Sequence, residues 1–456
     1  MLWQWHDLLA ALNLSEPKEG RAVTGVSIDT RTLVAGDLFV ALSGDPGPRF
    51  DASGRGNSDG HEFVSAAGEA GAAALLVSND VESKLPALQV TNTLDGLWQL
   101  ARFARARMHG RVAAVTGSAG KTTARSWLEQ ILSAQLPTHA SVGSYNNHWG
   151  VPLSLARMPE YSGYGVFEVG MNHAGEITPL SELVAPHVAL VLNVLPAHIG
   201  QLGSLEAIRQ EKLDIRQGLQ ENGILVVPYD LARSDVTDVE VLTFGFDANA
   251  DVAATVQTSA DFLSVEVTIA EVNYRYDLAT TGEHLALTSV AVLAVIHALG
   301  ADVGKAVESM SLLDNPPGRG NMFMASGRTI VDDSYNANPV SMTYAIKALT
   351  QRVPGRRIAI LGEMLELGEQ SQELHQEVAL ACGEVDVVVT VGEGFAHTRS
   401  DFGDRLLVHV DSVDHLDLDQ LIAVTQPGDT ILVKGSNKVF WVNKFVSKLI
   451  TSLESD

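Results

Sequence analysis

The segment at residues 112–123 constrains the fold of this chain more than any other. It reads V-A-A-V-T-G-S-A-G-K-T-T, and its apolar run at 112–115 predicts a buried strand. The chain then breaks at Gly117 and Gly120, and Lys121 opens a predicted helix. Helical spacing relates the apolar residues that follow, which are Trp127, Leu128, Ile131 and Leu132. A strand, a glycine turn and a helix start therefore follow one another without interruption.

This arrangement is typical of a phosphate-binding loop. Backbone N–H groups and the helix N-terminus face an anion, Lys121 can reach the outer phosphates, and Thr122 can place a hydroxyl on Mg²⁺. The standard loop has a further glycine where this chain has Val115, so the pattern is the shorter T-G-x-x-G-K-T. The alternative is a structural turn that carries an exposed lysine. The predicted ATP-binding residues of the loop are Gly117, Ser118, Ala119, Gly120, Lys121, Thr122 and Thr123.

Length and composition restrict the class of protein. A chain of 456 residues is too long for one core, and it predicts three domains. With 46% hydrophobic and 19% charged residues, the composition is that of an ordinary globular protein without a membrane span. The first residues lack the features of a signal peptide, and Cys382 is the only cysteine, so no intrachain disulfide can form. We expect a cytoplasmic protein and a monomer.

The net charge of −24 argues against general nucleic-acid binding, which depends on basic patches. It also means that an anionic substrate must meet local lysines and arginines within a repelling field. Acidic surfaces mostly serve solubility, so the charge identifies no partner.

The pattern of apolar runs predicts an α/β protein with three domains. The first, at 1–91, is a small N-terminal α/β domain. The second, at 92–314, alternates strands and helices around the phosphate loop, which indicates a parallel sheet with helices on both faces. Strand-like alternation at 251–279 predicts an antiparallel annex. After the Asn-Pro-Pro-Gly hinge at 315–318, a Rossmann-like α/β domain fills 315–456.

The predicted elements can be grouped by domain. In the first domain we predict strands at 23–28, 37–42 and 72–77 and a helix at 62–71. In the second we predict helices at 93–108 and 284–299 and strands at 165–169, 188–192 and 224–227. In the third we predict strands at 329–332, 357–361, 385–391, 406–410 and 430–434, and helices at 339–350, 371–382 and 440–449.

The N-terminal domain contains a long loop and two polar clusters. The loop at 44–60 is rich in Gly, Pro, Asp and Ser, and loops of this length are usually functional or mobile. The two clusters at strand or loop ends are Asp29-Thr30-Arg31 and Asp59-Gly60-His61. Ligands bind at such positions, but taken alone each cluster is better explained as a turn or a helix cap.

Polar side chains in the central domain follow predicted strands, where an open α/β sheet binds ligands. Glu168 interrupts an apolar strand, and a buried carboxylate needs a cation or hydrogen-bond donors. Asn193 and His198 follow the next strand, and Lys212 lies on a helix that begins near Ser204. Individually, the histidine could be a core or capping residue and the lysine a solvated one. Their conjunction with a phosphate loop favours a nucleotide and Mg²⁺ site.

The C-terminal domain has a comparable cluster in V-D-D-S-Y-N-A-N-P at 331–339, where a strand ends and a helix begins. The side chains that could enter a cleft there are Asp333, Tyr335, Asn336 and Asn338. The alternative, an Asx turn that caps the following helix, readily explains Asn338. Arg319 at the hinge and Lys434 with Ser436 at the last strand would add positive charge to the cleft between domains.

Taken together, these motifs make the chain resemble the Mur ligases of peptidoglycan synthesis over essentially its whole length. The segments at 29–44 and 59–63 resemble the family's uridine-nucleotide-binding domain, and T-G-S-A-G-K-T-T is its ATP loop. The combination at 332–342, 362–368 and 432–436 is similar to the branch that adds a dipeptide. A ligase that adds the third residue would carry a D-Y-A-H-type segment instead of D-S-Y-N-A-N.

The resemblance implies an activity and its participants. The implied enzyme is an ATP- and Mg²⁺-dependent amide ligase that joins D-alanyl-D-alanine to UDP-N-acetylmuramoyl-tripeptide. The substrate carboxylate would attack the γ-phosphate to give an acyl phosphate, and the dipeptide amine would then displace phosphate through a tetrahedral intermediate. Domain closure would exclude water.

The resemblance also implies roles for individual residues. The catalytic residues would be Lys121, Glu168, His198 and Lys212. The metal would be held by Thr122, Glu168, His198 and Lys212, the last after carbamoylation. ATP would also be contacted by Asn193, His284, Arg319, Asp333 and Asn336. The UDP-substrate would be bound by Asp29, Thr30, Arg31, Gly44, Asp59 and His61. The dipeptide or acyl-phosphate cleft would include Tyr335, Asn338, Lys434 and Ser436.

One segment departs from the family pattern. The family's G-x-H-N-x-x-N segment, which contacts adenine, reads G-E-H-L-A-L-T at 282–288 and keeps His284 but replaces both asparagines with Leu285 and Thr288. Two alternatives to the dipeptide ligase therefore stay open. One is a Mur-type ligase with another acceptor, and the other is a nucleotide-binding scaffold without ligase activity.

Overall fold

The computed structural model describes residues 1–15, 19–43, 59–196, 202–232, 236–259, 262–280, 282–352 and 355–455. The strands within these ranges form three separate sheets of four, nine and six strands, with helices packed against them. The three-part α/β fold predicted from the sequence is therefore confirmed. Most of the predicted loop at 44–60, including Gly44, lies outside the described residues, and so does His198.

The N-terminal sheet is parallel and has the order β1-β2-β3-β4. Its strands are β1 (Gly25–Ser27), β2 (Asp37–Val40), β3 (Ala74–Val77) and β4 (Ala87–Gln89). Its helices are α1 (Trp5–Leu12) and α2 (Val64–Glu69), the latter after a 3₁₀ turn at Gly60–Phe63. The three predicted strands and the predicted helix are confirmed, whereas α1 and β4 have no counterpart in the prediction.

The central sheet contains the phosphate loop and has the order β13-β12-β11-β10-β9-β8-β5-β7-β6. Its strands are β5 (Arg111–Thr116), β6 (Thr138–Ala140), β7 (Tyr164–Glu168), β8 (Val188–Val191), β9 (Ile224–Pro228), β10 (Glu240–Gly245), β11 (Val252–Thr258), β12 (Leu263–Ile269) and β13 (Val272–Leu278). Neighbours from β6 to β11 run parallel, and β12 and β13 are antiparallel. The predicted antiparallel annex is confirmed, and it continues the main sheet.

Helices cover the faces of this sheet. They are α3 (Thr93–Arg107), α4 (Lys121–Ser133), α5 (Gly150–Ala156), α6 (Ile177–Val184), α7 (Leu205–Leu213), α8 (Glu283–Ala298) and α9 (Val303–Ser309). Helix α8 is apolar on nearly all sides and is buried in the same core as α4 and the annex. The strand order places β5 between β8 and β7, so the chain leaves β5 on one side and returns on the other. Ligands of open α/β sheets bind at such a switch point.

The C-terminal sheet has the order β14-β15-β19-β16-β17-β18, in which only β14 is antiparallel. Its strands are β14 (Asn321–Ala325), β15 (Arg328–Asp333), β16 (Arg357–Gly362), β17 (Val387–Val391), β18 (Leu406–Val410) and β19 (Thr430–Lys434). Its helices are α10 (Pro339–Thr350), α11 (Ser371–Ala381), α12 (Arg399–Phe402), α13 (Leu418–Ala423) and α14 (Phe445–Ser455). This matches the predicted Rossmann-like alternation.

The helix predicted at 440–449 is wrong at its start. Helix α14 begins at Phe445, because Lys444 has φ of 52° and this left-handed conformation interrupts a right-handed helix. The preceding residues form turns that bring Trp441 beside Tyr335.

Buried contacts join the N-terminal sheet to the central one. The indole of Trp3 donates to the Ala156 carbonyl at 2.9 Å, and the Arg107 guanidinium lies 4.0 Å from the centre of the Trp3 ring. Arg157 Nε donates to the Val26 carbonyl at 2.6 Å. Helix α3 contributes to the same core as α1 and the N-terminal strands. None of the helices in the described ranges is long and apolar enough to cross a bilayer.

Leu293→Ala tests the role of α8 as the core of the central unit. Leu293 is fully buried, so the truncation should lower the free energy of unfolding by about 2–5 kcal/mol in chemical denaturation. Leu312→Ala is the matched control, because that side chain is 78% exposed and should cost less than about 0.5 kcal/mol. Equal effects at the two positions would contradict the packing described here.

Candidate active site

Three parallel strands end together at the phosphate loop. Val115 on β5 pairs with Glu168 at the end of β7, and Thr116 pairs with Val191 at the end of β8. The loop at 117–120, the Glu168 carboxylate and Asn193 therefore meet at one edge of the sheet. This is the convergence that the sequence predicts.

The loop requires glycine at its turn. Gly120 has φ of 78°, and a Cβ placed on it would lie 2.9 Å from Leu192 Cδ2. Asn193 holds the loop from beside it, since its Oδ1 accepts from the backbone N–H groups of Ser118 and Ala119 at 3.0 Å each. Its Nδ2 donates to the Ala119 carbonyl at 3.0 Å. These three hydrogen bonds of Asn193 stabilise the conformation of the loop.

Lys121 starts α4 and folds back over the loop, where its Nζ donates to the Gly117 carbonyl at 2.8 Å. Burial lowers the pKa of Lys121, and the charge of Glu168 opposes that shift. The lysine is therefore partly buried beside a carboxylate and is not the exposed lysine that the structural-turn alternative expects.

Glu168 has the hydrogen-bond donors that a buried carboxylate needs. It is 1% exposed, and its Oε2 accepts from Thr122 Oγ1 at 2.8 Å. Its Oε1 accepts from Asn146 Nδ2 at 2.7 Å. Asn146 was missed in the sequence, although the polar run G-S-Y-N-N-H at 143–148 follows strand β6 at the same edge of the sheet.

The oxygen atoms beside the phosphate loop are suitable ligands for Mg²⁺. Thr122 Oγ1 and the Glu168 carboxylate are adjacent, and Mg²⁺ prefers oxygen ligands and keeps water or phosphate for its other positions. No group of three or more His, Cys, Asp or Glu side chains able to hold a metal occurs among the described residues. The pair therefore fits a metal that arrives with a phosphate group better than an all-protein metal cage.

Lys212 on α7 is buried and only 2% exposed. Burial lowers its pKa well below the ordinary lysine value, the charge of Lys121 lowers it further, and Glu211 opposes the shift. The interpretation of Lys212 as a solvated helix lysine is wrong.

The C-terminal unit forms the opposite wall. The Arg319 guanidinium lies 4.4 Å from the centre of the Tyr335 ring. Its Nη2 donates to Ser144 Oγ at 3.3 Å, and the Tyr335 hydroxyl donates to the same atom at 3.2 Å. A cavity of about 550 Å³ lies between the walls and is lined by both the phosphate loop and the C-terminal cluster.

Lys434 does not supply the free positive charge that its sequence position suggests. It is 2% exposed, and its Nζ donates to Asp333 Oδ2 at 2.6 Å and to the Asn336 carbonyl at 3.2 Å. The ion pair compensates its charge, whereas Arg319 and Lys438 of the same wall also line the cavity and can face a phosphate.

Asn338 and Ser436 both line the cavity but differ in their hydrogen bonds. Asn338 caps α10, because its Oδ1 accepts from Ser341 N at 2.8 Å in a capping box. Ser436 is 2% exposed, and its hydroxyl has no hydrogen-bond partner among the described residues. A buried hydroxyl of this kind is suited to a polar group of a ligand.

His284 lines a second cavity of about 300 Å³. Its ring stacks on Tyr344 with a centroid separation of 5.4 Å and an interplanar angle of 3°. Desolvation by the surrounding protein atoms lowers the pKa of His284 to about 4, with a smaller opposing effect of Asp333, although the residue stays exposed to solvent on one side. The cavity is lined by apolar and polar side chains from both units, among them Leu192, Leu231, Phe246, Leu287, Tyr344 and Gln351.

The two altered positions of the adenine segment do not offer amides or free hydroxyls to this cavity. Leu285 is buried in the central core, and Thr288 Oγ1 donates to the His284 carbonyl at 2.9 Å. Both side chains have structural contacts of their own.

The two polar clusters of the N-terminal unit have local structure. Arg31 binds the Asp29 carboxylate with Nη2 at 2.7 Å, and Asp29 also accepts from Arg31 N. Asp59 accepts from His61 N at 3.0 Å, and His61 Nε2 accepts from Ser78 N at 2.9 Å. The alternative interpretation of these clusters, as a turn and a helix cap, agrees with these hydrogen bonds. Thr30 lies in the same turn as Asp29.

The fold and the cleft define a P-loop nucleotide-binding protein in which a C-terminal α/β unit faces the phosphate loop. Residues 115–296 match the Mur ligase middle domain, and residues 318–437 match the glutamate ligase domain of Mur ligases. The chain belongs to the Mur ligase family.

Individual relatives agree over most of their length. The UDP-N-acetylmuramoyl-tripeptide–D-alanyl-D-alanine ligase of Escherichia coli is 35% identical, with 90% of each chain covered. A crystal structure of MurF from Acinetobacter baumannii is similar with a TM-score of 0.85 and 28% identity, over 99% of both chains. MurF ligase from Thermotoga maritima in complex with ADP has a TM-score of 0.80 and 28% identity, over 95% of this chain and 98% of that one.

The pKa of about 4 predicts that the His284 imidazole is uncharged at neutral pH. With ¹³C-labelled histidine, its ring resonances should change near pH 4 rather than near the ordinary value of about 6.5. Between these values the unfolded chain binds a proton that the folded chain does not, so this group's contribution to stability falls as the pH drops through the window. The variant His284→Gln assigns the resonance, and a midpoint near pH 6.5 would contradict the lowered pKa.

Proposed function

We propose that this protein is the ATP-dependent ligase that joins D-alanyl-D-alanine to the peptide carboxylate of UDP-N-acetylmuramoyl-tripeptide. The observation that carries the proposal is the single cavity in which the phosphate loop faces Arg319, Asp333 and Tyr335 of the C-terminal unit. Such a cleft can hold a nucleotide on one wall and an acceptor on the other. The relatives named for this reaction cover nearly the whole chain.

In the proposal, ATP spans both cavities. Its phosphates lie on residues 117–123, and its base lies in the 300 Å³ cavity beside His284 and Tyr344. The two cavities share Asn193, Leu195, His284, Thr288 and Tyr344, so one nucleotide can reach both. Because Leu285 and Thr288 offer no free amide, the base is held mainly by apolar and aromatic surfaces of the cavity.

We assign Mg²⁺ to Thr122 and Glu168, with His198 as a further ligand. When bound, the ion neutralises phosphate charge and orients the γ-phosphate. Lys212 enters the proposal as the lysine that reacts with carbon dioxide to give a carbamate and a proton. Its burial supports this assignment, because a lysine with a lowered pKa supplies the neutral amine that the reaction needs.

The proposed reaction has two bond-forming steps. A carboxylate oxygen of the tripeptide attacks the γ-phosphorus, ADP leaves, and an acyl phosphate forms. The neutral amine of the dipeptide then attacks the acyl carbon, the C–O bond to phosphate breaks, and the amine loses a proton. Lys121 and Arg319 stabilise the charge on the transferring phosphoryl group from opposite sides.

The proposal also assigns roles to residues at the C-terminal wall and in the N-terminal unit. Ser436 supplies a hydroxyl to the acceptor side of the cleft, and Asp333 with Lys434 fixes the strand end beside it. The uridine nucleotide is assigned to the N-terminal unit through Asp29, Thr30, Arg31, Asp59 and His61, together with Gly44. The proposed location is the cytoplasm, where ATP is available.

Phosphate release by the purified protein tests the proposed function. With ATP, Mg²⁺ and UDP-N-acetylmuramoyl-tripeptide, release should require D-alanyl-D-alanine, and single amino acids should not replace it. The amide product should appear in equal amount by mass spectrometry. Release with another amine but not with the dipeptide would indicate a different acceptor, and nucleotide binding without any turnover would indicate a scaffold.

Lys121→Ala tests the assignment of the phosphate loop. Removing this charge should lower kcat by about 10²–10³-fold or more, because its interaction with the phosphoryl group is strongest in the transition state. The thermal midpoint should change little, since the ammonium makes one hydrogen bond to the loop and Glu168 keeps its hydrogen bonds from Thr122 and Asn146. Lys448→Ala, at an exposed position on α14, is the matched control and should retain full activity. Normal turnover of Lys121→Ala would refute the site.

A further inference from the structure

Ser144 is the residue at which the two walls of the cleft meet. It lies in the segment between β6 and α5, outside both the phosphate loop and the C-terminal unit. Its hydroxyl oxygen is 3.2 Å from Thr122 Oγ1, 3.3 Å from Arg319 Nη2 and 3.2 Å from the Tyr335 hydroxyl. The sequence gives no sign of this, because the partners are up to 191 residues away.

The chemistry of the groups around Ser144 determines which of them donates and which accepts in each hydrogen bond. A guanidinium only donates, and the single proton of Thr122 Oγ1 is directed to the Glu168 carboxylate. Ser144 therefore donates its own proton to Thr122 and accepts from Arg319 and Tyr335 with its two lone pairs. The hydroxyl is fully used, and a continuous chain of hydrogen bonds runs from the C-terminal unit to Glu168.

The C-terminal end of this chain is held firmly. Tyr335, under the Arg319 guanidinium, has its ring edge-on to Trp441 at a centroid distance of 5.3 Å. Gly318 allows this packing, since a Cβ there would lie 2.7 Å from Trp441 Cζ3. Arg319 and Tyr335 therefore reach Ser144 from one packed group, and a displacement of the C-terminal unit changes both of their bonds to it.

We propose that Ser144 is a positioning residue that couples the C-terminal unit to the Thr122 hydroxyl of the phosphate loop. When the C-terminal unit is in place, Arg319 and Tyr335 orient the Ser144 hydroxyl, which in turn orients Thr122 toward Glu168. One lone pair of Thr122 stays open toward the cleft. This inference rests on the proposed function, because it assigns Ser144 a part in the same reaction.

The role predicts an effect on turnover more than on nucleotide binding. Ser144→Ala leaves Arg319 and Tyr335 without their shared acceptor and lets the Thr122 hydroxyl rotate. We expect kcat to fall at least tenfold, while the Kd for ATP measured by calorimetry without the other substrates changes less than threefold. Ser144→Thr keeps the hydroxyl and should restore kcat to within about threefold of the unaltered protein. Ser309→Ala, which removes a hydroxyl bonded to Lys305 on α9, should change neither quantity.

A double-mutant cycle with Tyr335→Phe separates positioning from a general structural role. Tyr335→Phe should lower kcat severalfold in the unaltered protein but cause little further loss in Ser144→Ala, because its hydroxyl acts through Ser144. Unchanged kcat in Ser144→Ala, or fully additive losses, would overturn the proposal. If Ser144→Ala does not fold, Tyr335→Phe alone decides, and an unchanged kcat overturns it. Absence of phosphate release from the unaltered protein would instead refute the proposed function.

Discussion

The site depends on a carboxylate buried at the end of a central strand. Glu168 is almost inaccessible to solvent, and such a group is stable only where donors or cations are arranged around it. Thr122 and Asn146 supply the hydrogen bonds, and Lys121 supplies a nearby charge. The hydrogen bonds that this carboxylate requires therefore join the phosphate loop, the segment after β6 and the end of β7. The same arrangement leaves the Thr122 hydroxyl and the Glu168 carboxylate at the cavity in which the proposed nucleotide lies.

The second constraint is that the cleft has two walls of different origin. The central unit contributes the loop and the carboxylate, whereas the C-terminal unit contributes Arg319 and Tyr335. The two units also meet in the stacking of His284 on Tyr344 and in the exposed ion pair of Lys347 with Glu283 at 2.9 Å. In the proposed reaction the acyl phosphate needs protection from water, and the second wall of the cleft would supply it.

The sequence predicted those features of the fold and the site that local residue patterns determine. The phosphate loop, the parallel strands, the antiparallel annex and helix α8 follow from apolar periodicity and glycine placement, and all were found. Pairs that form only in three dimensions were missed, including Ser144 with Tyr335, and Lys434 with Asp333 across 101 residues. Burial of Lys212 and the left-handed Lys444 also depend on tertiary packing, which periodicity does not report.

In the proposed reaction the tripeptide carboxylate is activated by phosphorylation. The most direct measurement uses UDP-N-acetylmuramoyl-tripeptide with ¹⁸O in its terminal carboxylate, together with ATP and D-alanyl-D-alanine, and analyses the released phosphate by mass spectrometry. An acyl-phosphate route transfers one carboxylate oxygen to each phosphate, so the account predicts one ¹⁸O per phosphate when both carboxylate oxygens are labelled. Product formation with unlabelled phosphate would contradict the account.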